Sequence, residues 1–495
     1  MFRIVHTFAL IGATPVRVRV EVTIRRGAPG IRTSGLSPSA AREAVERIRA
    51  VAAGRGLRIP GLRITVNFAP ADLPKAGAHF DLPLLVGVLA GAGAIPEEPL
   101  SSTALVGELG LDGSIRPVCG VLPIALGLQN QPDLQLLVVP RANLREVAGI
   151  PDCAVVGARD VDGVLGCLSG GRTLPSPGAP PARAVQSEPE LADVRGQGPA
   201  KRALEIAAAG GHNLLLTGEP GAGKSMLAAR LPGILPPLDP EESLAVSSLH
   251  SVGGLLGTGS PLLHRRPFRA PHHSITMSGM IGGGSQPRPG EVSLAHCGAL
   301  FLDELPLFRS SVLESLRAPI ESGVVHLTTL SAERIREELV KVLDADSASG
   351  RCTCETWMVR RYTSRISGPL LDRFEIRVSL AAVPWGTSRG TPREESTTAA
   401  CLNRVREARA IAAARAAEAG PAAPTPMRCN SDFPTALLRR FCRLDAAGES
   451  LLRTSVRRHG LSARGCDRIL SVARTVADLD ASEAVRSGHI AEGRI

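Results

Sequence analysis

Eight consecutive residues constrain this chain more than any other stretch: Gly218, Glu219, Pro220, Gly221, Ala222, Gly223, Lys224 and Ser225. They satisfy the phosphate-loop pattern G-x-x-x-x-G-K-[ST] without a mismatch. A glycine-rich turn alone is usually only a turn, but here the flanks agree. Asn213-Leu-Leu-Leu-Thr217 reads as a short buried strand entering the loop, and Met226-Leu-Ala-Ala-Arg-Leu231 as the start of a helix leaving it. A phosphate chain needs that layout, because small residues let backbone N–H groups turn inward around its oxygens. The helix N-terminus adds partial positive charge. Lys224 is placed to reach the β- and γ-phosphates, and the Ser225 hydroxyl to hold Mg²⁺. Lys224 is one of four lysines, with Lys75, Lys201 and Lys341, in a chain that otherwise uses arginine. An ammonium and a guanidinium are not interchangeable as phosphate ligands, so a lysine here fits the role. The stretch predicts a nucleotide-binding protein, with ATP and Mg²⁺ as its ligands.

Gly298-Ala-Leu-Phe-Leu302 has the apolar run of a strand buried on both faces. It delivers Asp303 and Glu304 at its carboxyl end, where open α/β sheets bind their ligands. Asp303 would hold Mg²⁺ directly or through water, and Glu304 would polarise the attacking water. Two acids at a strand end are by themselves an ordinary solvated pair. Their position downstream of a complete phosphate loop favours the catalytic reading.

With 495 residues, 44% hydrophobic and 21% charged, the composition is that of a globular protein of several domains. A net charge of +10 permits a polyanionic partner, although the excess is spread along the chain. The ten cysteines have no disulfide-framework spacing, which suits a reducing cytosol. Phe8-Ala-Leu-Ile-Gly-Ala13 has the makings of a weak signal-peptide core, but Val16 to Ile24 follows at once with strict strand alternation. No apolar run is long enough to span a membrane, and a cytoplasmic protein is expected.

Residues 1–169 form a first unit of mixed strands and helices. Strands are expected at Arg17–Ile24, Leu62–Phe68, Ala104–Gly107 and Leu134–Val139, with helices at Ala40–Gly54 and Asp81–Ala90. Three stretches in it, Ile64–Asp72, Lys75–Pro83 and Gly107–Gly113, resemble the N-terminal domain of magnesium chelatase-like AAA+ ATPases of the ComM/YifB family. The resemblance implies an α+β, Lon-protease-like (ribosomal S5 domain 2-like) fold. The Lon serine and lysine would fall near His79 and Leu122, so neither nucleophile nor base is present and proteolysis is rejected. Assembly or partner binding is the expected role.

Residues 170–187 are rich in Gly, Pro and Ser and read as a linker. The resemblance then implies an AAA+ core over 188–390, an α/β unit with a parallel sheet, and a helical lid over 391–495. In AAA+ proteins the lead-in segment packs near the adenine, which suggests Val194 and Gly196 as contacts. The insertion Arg266–Thr276 and Gly282–Glu291 resembles the family most specifically, and in this clade such loops face a central pore. His272 and His273 are adjacent, which is the wrong spacing for one helical face, and have no acidic or Cys partner near, so a metal there is not expected. Arg265, Arg266, Arg269 and Arg288 suit a phosphate backbone, and equally a solvated basic loop.

The pattern holds through Ser315–Gly323 and then breaks. The family continues with a core strand ending in an Asn, the first sensor, and then Cys-Pro-Cys-Gly. Here Thr328–Gly350 places Ile335, Leu339, Val340 and Leu343 at helical spacing, so an amphipathic helix is expected and the strand and its Asn are expected to be missing. Impaired hydrolysis and a damaged sheet would follow. Cys352 and Cys354 are half of a four-cysteine cluster, and two thiolates do not complete a structural zinc site.

The resemblance resumes at Arg361–Glu375, where Arg373 is similar to the arginine finger of the clade, acting in trans on a neighbour's γ-phosphate. Helices are expected at Ala399–Ala419, Asp432–Arg443, Glu449–His459 and Ser462–Asp480. Arg464 matches the second sensor, reaching the γ-phosphate from the lid. Taken whole, the resemblance implies an ATP hydrolase that assembles into a homo-oligomeric ring, six subunits being the expected number. It also implies work on DNA, such as helicase-driven branch migration in recombination or transformation. With aromatics at 3%, any DNA grip should be electrostatic and salt-sensitive. A non-hydrolysing nucleotide-binding scaffold and a metal-chelatase motor subunit stay open beside it, the latter disfavoured by the Lon-like domain.

Overall fold

The computed structural model describes residues 1–73, 75, 77–150, 153–179, 189–219, 221–256, 262–284, 288–328, 331–334, 337–342, 364–381, 397–419, 427–459 and 461–493. Pro220, Cys352, Cys354 and residues 180–188 of the expected linker lie outside the described residues.

The N-terminal sheet has seven strands: β1 (Phe2–Ile11), β2 (Thr14–Arg25), β3 (Gly30–Ser34), β4 (Arg63–Ala69), β5 (Thr103–Leu105), β8 (Leu136–Pro140) and β9 (Val155–Ala158). The short hairpin β6 (Glu108–Leu109) and β7 (Ile115–Arg116) stands apart from it. The order is β3-β4-β2-β1-β5-β8-β9, with β1, β2 and β4 antiparallel and the remaining pairs parallel. Alternation in β2 turns Val18, Val20, Val22 and Ile24 into the core. The helix Asp81–Gly91 is buried along its whole length and packs on β1 and β2. Gly87 permits that approach, since a Cβ there would sit 2.8 Å from Val22 Cγ2. Phe8–Ile11 of the segment with signal-peptide character belong to β1 and pair with β2, and Gly12 and Ala13 form the turn between the two strands.

The second sheet has β11 (Phe268–Arg269), β14 (Gly298–Leu302), β17 (Glu337–Val342), β10 (Leu214–Gly218) and β18 (Ile376–Leu380), in the order β11-β14-β17-β10-β18. Every pairing is parallel. Between β11 and β14 a short pair, β12 (Gly282–Gly283) and β13 (Arg288–Pro289), closes part of the insertion. The sequence expectation fails at β17. Leu339 and Val340 lie in a core strand, not an amphipathic helix, while Ile335 and Leu343 lie outside the described residues. Ahead of it, β15 (Val324–Thr328) and β16 (Ser331–Arg334) form an antiparallel hairpin. The strand expected to be missing is present and fills the sheet between β14 and β10. Its pairing is non-local, and a short apolar run flanked by charges cannot reveal that from sequence.

The C-terminal part is helical: Thr398–Glu418, Thr435–Phe441, Ala446–His459, Ala463–Leu479 and Ser487–Glu492. The fold is thus an α/β P-loop core with a parallel sheet, preceded by an α+β unit and followed by a helical lid. A buried polar knot fastens the lid. Asp478, 0% exposed, accepts hydrogen bonds from Arg474, Arg415 and Asn430, and Asn430 Nδ2 also donates to Thr475 Oγ1 at 3.0 Å. His212, next to the residue before β10, lies 2.8 Å from the same hydroxyl. The N-terminal unit docks on the helix Pro240–Val252: Gly120 N donates to Ser251 O at 3.0 Å, and Ser251 Oγ donates to Glu146 Oε2 at 2.7 Å.

Candidate functional site

Parallel strands that end together bring their following loops together. β10 and β14 flank β17, with Leu216 level with Val342 and Leu302 level with Lys341, so the loops after Gly218 and Leu302 open on the same edge. After Gly218 the backbone turns through Gly221 and Gly223, with φ of 82° and 93°. Only glycine holds such values without strain. A Cβ at either would meet nothing within 4 Å, so the turn bounds an open cradle. At Gly218 the need is different, because a Cβ would lie 2.5 Å from Leu380 O.

The helix begins at Lys224 and spans Lys224–Ala228. Lys224 is 5% exposed, and its Nζ donates to Gly218 O at 2.7 Å and Glu219 O at 2.8 Å. The ammonium therefore sits inside the loop. Ser225 Oγ donates to Asp303 Oδ2 at 2.9 Å, joining residues 78 apart. Glu304 N donates to Asp303 Oδ1 at 3.0 Å, which fixes the carboxylate. Glu304 itself has φ of 51°, a left-handed conformation rare outside glycine and concentrated at functional sites. A hydroxyl and a carboxylate beside an open cradle are hard oxygen donors of the kind Mg²⁺ takes, with room for water and phosphate oxygens. The residues fit a Mg–nucleotide, with Ser225 and Asp303 as metal-side groups.

Gln197 was not foreseen. Its side chain donates to Ala222 O at 3.2 Å and Ala381 O at 2.7 Å, tying the loop to the end of β18. The signal was there in the glycines on either side of it, since Gly196 and Gln197 both have positive φ. Val194, by contrast, packs in the hydrophobic core at 4% exposure.

Arg373 and Arg464 come together elsewhere. Arg373 Nη2 donates to Glu321 Oε2 at 2.5 Å, and Arg464 Nη1 lies 3.9 Å from Glu321 Oε1. The structure groups the lid arginine with Arg373 through Glu321, while Lys224 and Ser225 are engaged with Gly218, Glu219 and Asp303.

The four insertion arginines divide into two kinds. Arg266 pairs with Glu242 at 2.9 Å and donates to Pro236 O and Cys297 O, and Arg269 is bidentate to Glu291. Those two hold the insertion in place. Arg265 and Arg288 are exposed. His272 Nδ1 lies 2.8 Å from Ser274 Oγ, and no metal-holding group of His, Cys, Asp and Glu occurs among the described residues. The position expected for the Lon serine holds His79, whose Nε2 is 3.2 Å from Phe8 O, and burial pulls its pKa down to about 4. Leu122 is 0% exposed in the core. No helix among the described residues is long and apolar enough to cross a membrane.

Three family profiles match successive parts of the chain: subunit ChlI of Mg-chelatase over residues 20–143, magnesium chelatase subunit ChlI over 190–387, and the ChlI C-terminal region over 395–493. The Escherichia coli protein YifB is 38% identical over 99% of this chain and 96% of its own length. The competence protein ComM of Haemophilus influenzae is 36% identical with the same coverage, and a Mycobacterium tuberculosis protein is 40% identical over 93% of this chain and 92% of its own. The chain belongs to the magnesium chelatase-like ChlI family, with YifB and ComM among its relatives.

Proposed function

We propose that the protein is an ATP-hydrolysing AAA+ motor that works as a homo-oligomeric ring, six subunits by resemblance, and acts on DNA in the cytoplasm. Its units are the N-terminal domain at 1–169, the ATPase core at 188–390 and the lid at 391–495. The observation that carries the reading is the Ser225–Asp303 hydrogen bond of 2.9 Å beside an open glycine cradle with Lys224 folded into it. Lys224 and the loop amides would hold the triphosphate, and Ser225 and Asp303 the Mg²⁺. When bound, Mg²⁺ neutralises charge on the β- and γ-phosphate oxygens. Glu304 orients and polarises the attacking water. Arg373 and Arg464 share Glu321 and serve the site of the adjacent subunit, where a guanidinium spreads charge from the transferring phosphoryl group.

DNA as the substrate is supported by the net charge of +10, the exposed Arg265 and Arg288, and a relative named a competence protein. The scaffold reading is weakened by β17, because the sheet is whole between β14 and β10. It keeps one support, the lack of any asparagine in 328–350. Steady-state ATP hydrolysis with and without single-stranded DNA, beside Lys224→Ala, tests the reading. Turnover that DNA raises and the variant abolishes is expected. Nucleotide binding without turnover would leave the scaffold in its place, and turnover indifferent to DNA would remove the substrate assignment.

A further inference from the structure

Three segments distant in sequence meet at one carboxylate. Glu321, at the end of the helix Arg317–Ser322, accepts from Arg373 Nη2 at 2.5 Å and lies 3.9 Å from Arg464 Nη1 at the start of the lid helix Ala463–Leu479. The second terminal nitrogen of Arg373, Nη1, donates to Pro369 O at 2.5 Å. The Nε atoms of Arg373 and of its neighbour Arg317 are buried without a partner. Arg317, Arg373, Arg464 and Arg468 wall an open cavity of about 580 Å³, with Glu321 and Asp372 among its acids. The Arg373 side chain is 14% exposed, against 55% for Glu321 and 81% for Arg464.

A guanidinium has five N–H donors in one plane, so two bonds from its ends fix the plane and leave donors over for an anion. Arg373 is held in that manner, by a carbonyl on one end and Glu321 on the other. Arg464 has no comparable fixing bond and is drawn toward the same carboxylate from the lid. Hydrogen bonding from Arg373, and then its charge, holds the Glu321 carboxyl below its usual range, so it stays ionised and able to attract both.

We propose that Glu321 is the positioning residue of this arginine pair, setting the Arg373 plane and the lid's Arg464 at one cavity before an adjacent subunit's triphosphate enters it. The inference rests on the ring reading above. Misplacing a reacting group by on the order of 1 Å can cost on the order of a hundredfold in rate, so an acid that touches no substrate can still govern turnover. Glu321 is 55% exposed and Arg373 keeps its bond to Pro369 O without it, so the same acid should matter little for folding.

The test uses the full-length protein and the variants Glu321→Ala, Glu321→Gln and Lys224→Ala. It reads ATP turnover, binding of a fluorescent ATP analogue and thermal unfolding. Glu321→Ala should lower turnover about tenfold to a hundredfold, with analogue affinity and unfolding midpoint unchanged because its own phosphate loop is untouched. Glu321→Gln, which keeps an acceptor for Arg373 but no charge, should fall between it and the wild type. Mixing Glu321→Ala with Lys224→Ala should restore turnover above either alone, because the intact loop of the first then faces the intact arginines of the second. Wild-type turnover that Glu321→Ala leaves intact, or a loss that mixing does not rescue, overturns this inference alone. Wild-type protein that binds the analogue but never hydrolyses ATP overturns the motor reading and this inference with it.

Discussion

The two oxygens of Asp303 have separate partners, Glu304 N on Oδ1 and Ser225 Oγ on Oδ2. The first bond orients the carboxylate and the second joins the two groups that would share a metal ion. Glu304 is left with no such tie in its side chain, and its left-handed backbone sets where that side chain leaves the strand. Glu304→Gln keeps the size and removes the base. Turnover should fall about a hundredfold to ten-thousandfold, as for loss of a general base, with nucleotide affinity retained. Hydrolysis and equilibrium binding measured together check this, and a variant with wild-type turnover would take Glu304 out of the chemistry. Residues of this kind were legible in the sequence because each loop carries its own chemistry in consecutive positions. Glu321 was not, because in Arg317-Ala-Pro-Ile-Glu-Ser322 it looks like any surface acid until Arg373 and Arg464 are brought to it.

Among the elements, the instructive difference is β17. Leu339, Val340 and Val342 are its only apolar residues, and Glu337, Glu338 and Lys341 give it the look of a helix surface. Two parallel ladders, to β14 and to β10, override that local pattern. The strands β10 and β14, with continuous apolar runs, were readable for the opposite reason. The lid's attachment also depends on a distant pair. His212 Nε2 faces Thr475 Oγ1, which itself donates to Ser471 O, so the imidazole donates from Nε2. Its Nδ1 is buried without a partner, and burial lowers its pKa to about 3. The unfolded chain therefore takes up this proton first. Its stabilisation is complete above about pH 6.5 and declines as pH falls toward 3, at about 1.4 kcal/mol per pH unit. Thermal unfolding at pH 7.5 and 5.5 should show a fall that His212→Gln reduces. An equal fall in both proteins would contradict the assignment.

Over the whole molecule, the glycine loop and the arginine cavity have different partners within one chain: Lys224 and Ser225 bond to Gly218, Glu219 and Asp303, whereas Arg373 and Arg464 meet at Glu321. The N-terminal unit is not a loose appendage, since Ser251 and Glu146 tie it to the helix that leads into the insertion. Burial raises the Glu146 carboxyl above its usual range, and the bonds from Ser251 and Asn143 oppose that. The proposed motor requires two subunits for a complete hydrolytic site. Its most direct test is ATP turnover per subunit measured across a wide range of protein concentration, with assembly followed by sedimentation on the same samples. Turnover per subunit that rises with concentration and levels off as the ring forms is the predicted result. Turnover per subunit that stays constant down to concentrations where the protein sediments as a monomer would contradict it.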